Sequence, residues 1–286
     1  MDHEHDHHLG LAADLSRLLR RRRMLGLIAG AGLIPLVGCS TDGSSSTAGA
    51  ASASGTASTT GAASGSQTTA SGTTASGGSC DEIPEETAGP YPGDGSNGPN
   101  VLTESGIVRS DIRSSFGSAS GVAQGVPLTI KLTVQDAAKG CAALPGAAVY
   151  LWHCDRNGSY SLYSQDVRNE NYLRGVQEAD GAGSVTFISI FPAAYSGRWP
   201  HVHFEVYPSL TAATTEGNKI ATSQLALPED VCDAVYATDG YASSVRNLGR
   251  TTLESDNVFR DGHTSQLAAV TGSVSAGYVA TLAVPV

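Results

Sequence analysis

The sequence lacks several features that would place it in common functional classes. It carries no basic cluster beyond Arg20–Arg23, and its formal net charge is −10 over 286 residues. Because a nucleic-acid partner needs a basic protein face, this charge balance excludes nucleic acid. No two cysteines have the Cys-x-x-Cys spacing of a zinc–thiolate site. The apolar run Met24–Val37 is shorter than the ~20 residues that cross a bilayer, so it is not a transmembrane helix.

The N-terminus instead has the layout of an export signal. Arg20–Arg23 precede Met24–Val37, in the order of a basic n-region and an apolar h-region. The consecutive arginines resemble a twin-arginine signal, and Leu36–Cys39 resembles a bacterial lipobox, in which the cysteine is lipidated. We therefore predict a signal peptide over residues 1–39 and an exported protein, held by a lipid anchor on Cys39 at the periplasmic or extracellular face of a bacterial membrane. An ordinary secretion signal is the alternative.

The chain then divides into a linker and a domain. Residues 40–79 contain almost only Ser, Thr, Gly and Ala. With no large apolar side chain to bury, this stretch cannot offset the entropy of ordering itself, so we predict a flexible, disordered linker. Residues 80–286 are long enough for one domain with its own core.

Five cysteines constrain the redox setting. If Cys39 carries lipid, four remain in the domain: Cys80, Cys141, Cys154 and Cys232. An even number in an exported chain favours two disulfides, and four cysteines allow three connectivities. We favour a bridge between Cys141 and Cys154, because these two residues flank one candidate hairpin.

The hydrophobic periodicity of the domain is that of β-strands. Apolar and polar residues alternate in four segments, Val126–Asp136, Ala147–Asp155, Gly183–Phe191 and His201–Pro208. Turn signals such as Leu-Pro-Gly and Asp-Gly-Ala-Gly separate them. Two long stretches, 89–125 and 227–264, show no sustained helical period. These patterns predict an all-β fold, an antiparallel β-sandwich with long irregular loops of the kind that carry function.

Two histidines one residue apart stand at the start of the last of these strands. Alternate residues of a strand point to the same face, so His201 and His203 present their imidazoles side by side. Tyr160 and Tyr195 precede them in loops. Phenolate is a hard anion suited to ferric iron, and imidazole binds iron readily, so iron fits this set best. Zinc, copper and a purely structural role for the four residues are the alternatives.

Six blocks in order along the chain resemble the intradiol ring-cleavage dioxygenases. The blocks are GPY (89–91), VRSDIR (108–113), WHCDRNGSY (152–160), LRGVQEADGAGSVTF (173–187), YSGRWPHVHF (195–204) and TSQLALPED (222–230). The resemblance spans the chain from residue 80 to about 262. It is greatest for the exported, stand-alone branch of the family, which is related to catechol 1,2-dioxygenase and protocatechuate 3,4-dioxygenase.

The resemblance implies a metal centre with catalytic neighbours. Its ligands to one non-haem Fe(III) would be Tyr160, Tyr195, His201 and His203. Arg198 would lie over the substrate ring, and Gln224 would match the active-site glutamine of the family. Tyr195 would also accept a substrate proton.

Four further residues belong to the same blocks, and Tyr163 lies three residues after one of them. Tyr163 is the rival of Tyr160 for the first tyrosine ligand. We expect Arg109 and Asp111 to brace loops, and Trp152 and Cys154 to be structural.

The activity implied is cleavage of catechol-type aromatics by O₂ to cis,cis-muconate-type diacids. The alternatives are an exported binding module for aromatics or carbohydrates on the same fold, which does not turn over, and a zinc hydrolase. The soluble members dimerise through an N-terminal helical part that this sequence lacks, so we expect a monomer or a different dimer.

Overall fold

The computed structural model describes residues 80–286, apart from 216 and 217. The predicted signal peptide over residues 1–39 and the predicted linker over residues 40–79 lie outside the described residues. Within the described part, no helix has both the length and the apolar character needed to cross a membrane.

The strands of the described part form two packed sheets. They are β1 Pro127–Asp136, β2 Ala142–Ala143, β3 Ala148–Trp152, β4 Arg174–Glu178, β5 Ser184–Ile190, β6 His201–Tyr207, β7 Ala221–Ala226, β8 Ala269–Ser273 and β9 Gly277–Pro285. In the first sheet β1 pairs with β2, β5 and β9, and β8 pairs with β9. The second sheet has the order β4-β3-β6-β7 and is antiparallel throughout. The predicted all-β sandwich is confirmed, with the difference that β1 and β9 run parallel.

The core lies between the two sheets and follows from the alternation of residues. In β1, Leu128, Ile130 and Leu132 point inward and are buried. In β6, Val202 and Phe204 face the same core from the opposite sheet. Every residue of β6 is buried, so the strand is covered on both faces. The polar side chains on its other face therefore need partners within the protein.

Two helices occupy a stretch in which the sequence predicts only loops. The expectation of an irregular segment at 227–264 is wrong in this respect, because α1 spans Glu229–Tyr236 and α2 spans Ala242–Leu248. Each helix is only about two turns long, and two turns are too few to establish a 3.6-residue period. Strand β7 is equally hard to predict, since the residues of its sequence ATSQLA do not alternate between apolar and polar.

An extended segment, residues 83–92, runs along the protein before the first strand and is called the strap below. The N–H of Ile83 donates to the carbonyl of Pro285 in β9 over 2.8 Å. The N–H of Glu86 donates to the carbonyl of Thr222 in β7 over 2.7 Å. The strap therefore has backbone bonds to both sheets, although it belongs to neither.

The disulfide differs from the expected one. Cys80 is bonded to Cys141, with a Cα–Cα distance of 5.5 Å, whereas Cys154 and Cys232 are free and buried. The expected bridge between Cys141 and Cys154 is wrong because the hairpin after β1 returns through β2 within the first sheet, while β3, which leads to Cys154, belongs to the second sheet. One of the two expected bridges is thus present within the described residues, with a different partner.

Reduction of this bridge is expected to lower the free energy of unfolding by about 2–4 kcal/mol, because the bridge closes a long loop and so restricts the unfolded chain. The sequence separation of its two cysteines is 61 residues. Urea unfolding of the wild type with and without a reductant measures the effect. The double variant Cys80→Ser/Cys141→Ser is the control. Its unfolding midpoint should equal that of the reduced wild type and should not change when reductant is added. An unchanged midpoint on reduction of the wild type would contradict this expectation.

Candidate metal centre

The four side chains that the sequence singled out as metal ligands converge on one point. The hydroxyl oxygens of Tyr160 and Tyr195 lie 3.4 Å apart. The Tyr195 oxygen lies 3.2 Å from Nε2 of His201, and that nitrogen lies 3.1 Å from Nε2 of His203. Two oxygen and two nitrogen donors thus stand at the mutual spacing of ligands around a single ion.

These four side chains come from three local structures. His201 and His203 are alternate residues of β6 and share the face turned away from the core. Tyr160 follows β3 after a tight turn, in which the Asp155 carboxylate accepts the N–H groups of Asn157 and Ser159 at 2.8 and 3.0 Å. Tyr195 comes from the loop between β5 and β6. The sheet therefore fixes the two nitrogens, and loops bring the two oxygens to them.

The hydrogen bonds of the histidines determine which nitrogen is free to bind. Nδ1 of His201 donates to the carbonyl of Trp199 at 2.5 Å, so its Nε2 carries a lone pair. Nε2 of His203 faces that lone pair at 3.1 Å, so a proton or a cation must lie between the two nitrogens. Nδ1 of His203 is buried and has no hydrogen-bond partner among the described residues. Because no hydrogen bond at Nδ1 orients the His203 ring, packing must hold it in place.

Two neighbours supply that packing. The indole of Trp152 stacks on the His203 ring, with centroids 4.9 Å apart and planes within 4°. On another side, a Cβ atom at Gly89 would lie 3.3 Å from Cε1 of His203, and Gly89 has a φ of +69°. The strap can therefore approach the ring this closely only with glycine at position 89.

The protonation equilibria of the four side chains favour neutral forms. Burial, together with the charge of Arg198, lowers the pKa of His201 well below its usual range. Burial, reinforced by His201, does the same to the pKa of His203. Burial raises the pKa of Tyr195 to about 12 and that of Tyr160 well above its usual value. The imidazoles are therefore ready to bind a metal at neutral pH, whereas the phenols ionise only if a cation compensates them.

The donor set decides which metals fit. Among residues 80–286 as described, no group of three or more His, Cys, Asp or Glu is placed to hold a metal ion. A site here must therefore use the tyrosines in addition to the two histidines. Hard phenolate oxygens with imidazole nitrogens suit Fe(III), and no cysteine takes part that would favour zinc or copper(I).

Arg198 and Gln224 are bonded to each other and lie beside this cluster. Nη2 of Arg198 donates to Oε1 of Gln224 at 2.6 Å, and Nε2 of Gln224 donates to the carbonyl of Thr87 in the strap at 2.8 Å. Both side chains are buried. Gln224 is opposite His203 in the pairing of β7 with β6, which explains how a residue from β7 reaches the site.

Sequence reasoning missed a third member of this group, Asp256. Its carboxylate accepts from Nε of Arg198 at 2.9 Å and is fully buried. An isolated aspartate inside an irregular stretch gives no signal in a single sequence. Phe259, whose ring centroid lies 6.5 Å from that of His201, was missed for the same reason.

Tyr163 and the remaining residues of the six sequence blocks contact other parts of the fold rather than the space between the four donors. The Tyr163 hydroxyl accepts from the N–H of Gly93 at 2.9 Å and donates to the carbonyl of Asn97 at 2.9 Å, so it points away from the four donors. Arg109 donates to backbone carbonyls, among them that of Arg174 at 2.7 Å.

Asp111, Trp152 and Cys154 have similar bracing contacts. Asp111 pairs with Arg113 at 2.7 Å on the surface. Trp152 stacks on His203, and the Cys154 thiol lies 3.7 Å from the carbonyl of Ala193. These contacts agree with the expected structural roles.

A surface cavity of about 320 Å³ lies elsewhere in the domain. It is lined by residues such as Arg113, Val122 and Ile190 and contains none of the predicted site residues. Its lining holds no cluster of convergent donors, so the chemistry of the protein is better sought at the four donors than at this cavity.

Solved structures that resemble this one are dioxygenases. An intradiol ring-cleavage dioxygenase from Tetranychus urticae is 26% identical with a TM-score of 0.55, and the match covers 72% of this chain and 94% of that one. A second solved dioxygenase has 24% identity and a TM-score of 0.57 over the same shares of the chains. No family model and no curated protein matches the chain.

A bacterial structure is also similar. It is the dioxygenase domain of a dioxygenase carbohydrate-binding fusion from Streptomyces sp. SirexAA-E, with 22% identity, a TM-score of 0.46, and coverage of 72% of this chain and 98% of that one. This TM-score is too low to carry an argument. The resemblance noted in the sequence is nevertheless confirmed by the first two structures, and this chain has the fold of the intradiol ring-cleavage dioxygenases.

Glu86, in the strap, has a strongly shifted pKa near this site. Its Oε1 lies 3.5 Å from Nε2 of Gln266. Burial, reinforced by the charge of Asp261, raises its pKa from 4.5 to about 8. The folded protein thus keeps a proton that the unfolded chain releases at lower pH. The stability that this proton contributes is complete below pH 4.5 and is lost as the pH rises towards 8.

Glu86→Gln is expected to flatten the fall in stability between pH 6.5 and 8, since the variant has no carboxyl to ionise there. The buried histidines titrate below this window. Glu205, whose pKa burial raises to about 7, contributes equally in both proteins. Urea unfolding of wild type and variant at several pH values isolates the effect of Glu86. Parallel stability curves across the window would refute the assignment.

Proposed function

We propose that this protein is a non-haem Fe(III)-dependent intradiol dioxygenase, which cleaves the ring of catechol-type aromatics with O₂ to cis,cis-muconate-type diacids. The observation that carries the proposal is the convergence of two phenol oxygens and two imidazole nitrogens at spacings of 3.1 to 3.4 Å. The fold of known intradiol dioxygenases supports it, with the donors on the residues that the sequence resemblance implied.

The proposed ligands to the metal are Tyr160, Tyr195, His201 and His203. When bound, Fe(III) supplies a Lewis acid that accepts the two catechol oxygens and a conduit for electrons between the ring and O₂. A ferric centre of this kind needs no external reductant. The two histidines are neutral because of their burial, so each would offer a ring-nitrogen lone pair to the metal.

The two tyrosines differ in a way that assigns a role to each. Tyr160 is 2% exposed and lies among buried aromatic residues, so its side chain would serve only as a ligand. Tyr195 is only partly buried and comes from a loop. Its phenolate oxygen, beside His201, can take up the proton that a catechol hydroxyl releases on binding. Tyr195 thus serves both as a ligand and as a general base.

Arg198 supplies the positive charge of the proposed site. Its side chain is buried at the edge of the donor cluster and is held by Gln224. A fixed guanidinium in a water-poor site stabilises the negative charge that builds up on the substrate ring as it reacts with O₂. Gln224 accepts one of the hydrogen bonds of this guanidinium. The residues of the chain therefore bind the substrate, remove one proton from it and stabilise its charge.

We propose an exported location for this activity. The bridge between Cys80 and Cys141 suits an oxidising compartment. The arginine-rich start, the apolar run and the lipobox at Cys39 agree with export and with a lipid anchor.

Iron-loaded protein is expected to be reddish from tyrosinate-to-iron charge transfer, to change colour when catechol is added under nitrogen, and to consume O₂ once air is admitted. Tyr160→Phe should weaken the colour, to which Tyr195 still contributes, and lower O₂ uptake by more than about 100-fold, since even the supporting partners of metal ligands are worth about 10–100-fold. Absorption spectroscopy and an oxygen electrode measure both effects. Tyr163→Phe is the matched control and should keep the colour and the activity.

Three outcomes would contradict the proposal in different ways. Colourless, iron-free protein that takes up no O₂ with any catechol would favour a binding module on the same fold. Bound metal without colour would favour a zinc enzyme. Equal loss of colour in the Tyr160 and Tyr163 variants would show that the ligand assignment is wrong. A screen of substituted catechols on the active protein then identifies the preferred substrate.

A further inference from the structure

Asp256 is bonded on both of its carboxylate oxygens, although it lies in a loop. Oδ2 accepts from Nε of Arg198 at 2.9 Å and from the N–H of Trp199 at 2.6 Å. Oδ1 accepts from the N–H groups of Val258 and Phe259 at 2.8 and 3.3 Å. The side chain is completely shielded from water. All four partners are donors, so only an ionised carboxylate can satisfy them all.

The bond to Asp256 limits how Arg198 can lie. Nε of the guanidinium is held by Asp256, and Nη2 is held by Gln224 at 2.6 Å. The third nitrogen, Nη1, has no hydrogen-bond acceptor among the described residues. Because a guanidinium is planar, fixing two of its nitrogens also fixes the direction of the third. Nη1 is therefore the group of Arg198 that is available to a bound substrate.

The same carboxylate is also connected to the proposed metal ligand His201 through two intermediate residues. The backbone N–H of Trp199 donates to Asp256, and the carbonyl of the same residue, in the next peptide unit, accepts from Nδ1 of His201. On the other side, Oδ1 caps the turn that carries Phe259, whose ring contacts that of His201 edge-on. One buried carboxylate thus connects the proposed charge-stabilising residue with a proposed iron ligand.

The buried charge of Arg198 makes the pairing with Asp256 necessary. Arg198 is 7% exposed, and a guanidinium buried to that extent is stable only if a carboxylate compensates it. Without Asp256 the guanidinium would turn towards water or towards another oxygen. The bond with Gln224 cannot prevent this, because the amide is neutral.

We infer that Asp256 is a positioning residue, which aims Nη1 of Arg198 at the substrate ring and locks the backbone that orients His201. This inference rests on the proposed function. Asp256 itself touches neither the metal ligands' donor atoms nor the space between them, so it acts through Arg198 and Trp199. An asparagine at position 256 would place an NH₂ group where two N–H donors already point at one carboxylate oxygen. The orientation of the Arg198 guanidinium would then be lost.

Asp256→Asn tests the inference in the iron-loaded protein. We expect kcat to fall by about 100-fold, the size of effect of removing one pre-organised charge-stabilising donor, with a far smaller change in KM. The charge-transfer colour should persist. In an Arg198→Gln background the same change should have a much smaller further effect on kcat, limited to the part that Asp256 exerts through Trp199.

Asp94→Asn is the matched control. Asp94 is also a buried aspartate with a cationic partner, Lys219 at 3.3 Å, but it does not contact Arg198. The control should lose stability and keep kcat. If Asp256→Asn also keeps kcat while the wild type is active, the inference fails and the proposed function stands. If the two losses in kcat add fully in the double variant, Asp256 does not act through Arg198 and the inference again fails.

A second readout does not depend on turnover. A crystal structure of metal-free Asp256→Asn should show the Arg198 guanidinium rotated away from Gln224 and the Trp199 peptide displaced. An unchanged guanidinium would overturn the inference. If the wild type consumes no O₂, the proposed function fails, and this structure alone decides whether Asp256 positions Arg198.

Discussion

The lone pair on Nε2 of His201 faces Nε2 of His203 across 3.1 Å, and this arrangement is stable only with a proton or a cation between the two nitrogens. Much of the second sheet serves to maintain it. The carbonyl of Trp199 fixes the tautomer of His201, and the indole of Trp152 holds the ring of His203 flat against β3. The fold therefore holds the two ring nitrogens at a separation that a shared proton or a bound cation can bridge.

The polar face of β6 has a second part beyond the histidines. Glu205, two residues after His203, is fully buried and bonds to Lys219 at 2.6 Å, and Lys219 also reaches Asp94. The hydroxyl of Tyr207 donates to the other oxygen of Glu205 at 2.7 Å. Buried charges of this kind are tolerated only when they are paired. One strand face thus joins a proposed metal site to an ion-paired cluster, with each polar group compensated locally.

The sequence predicts the parts of this architecture that repeat with a period of two. The alternating strands β1, β3, β5 and β6 and the histidine pair could be read from it, because alternation is local. Strand β7 and the helix α1 could not, since the residues of β7 do not alternate between apolar and polar, and a two-turn helix is too short for a periodic pattern. The partner of Cys141 and the role of Asp256 depend on contacts between distant segments, which a single sequence does not encode visibly.

The bridge at Cys80 has a mechanical consequence for the site. It joins the chain to Cys141, beside the end of β1, only three residues before the strap begins at Ile83. A pull on the polypeptide upstream of Cys80 is therefore transmitted through the sulfur atoms into the first sheet. The strap, which carries Gly89 against His203 and Thr87 against Gln224, is relieved of that load. Tension on the chain before Cys80 thus does not reach the strap, which contacts His203 and Gln224.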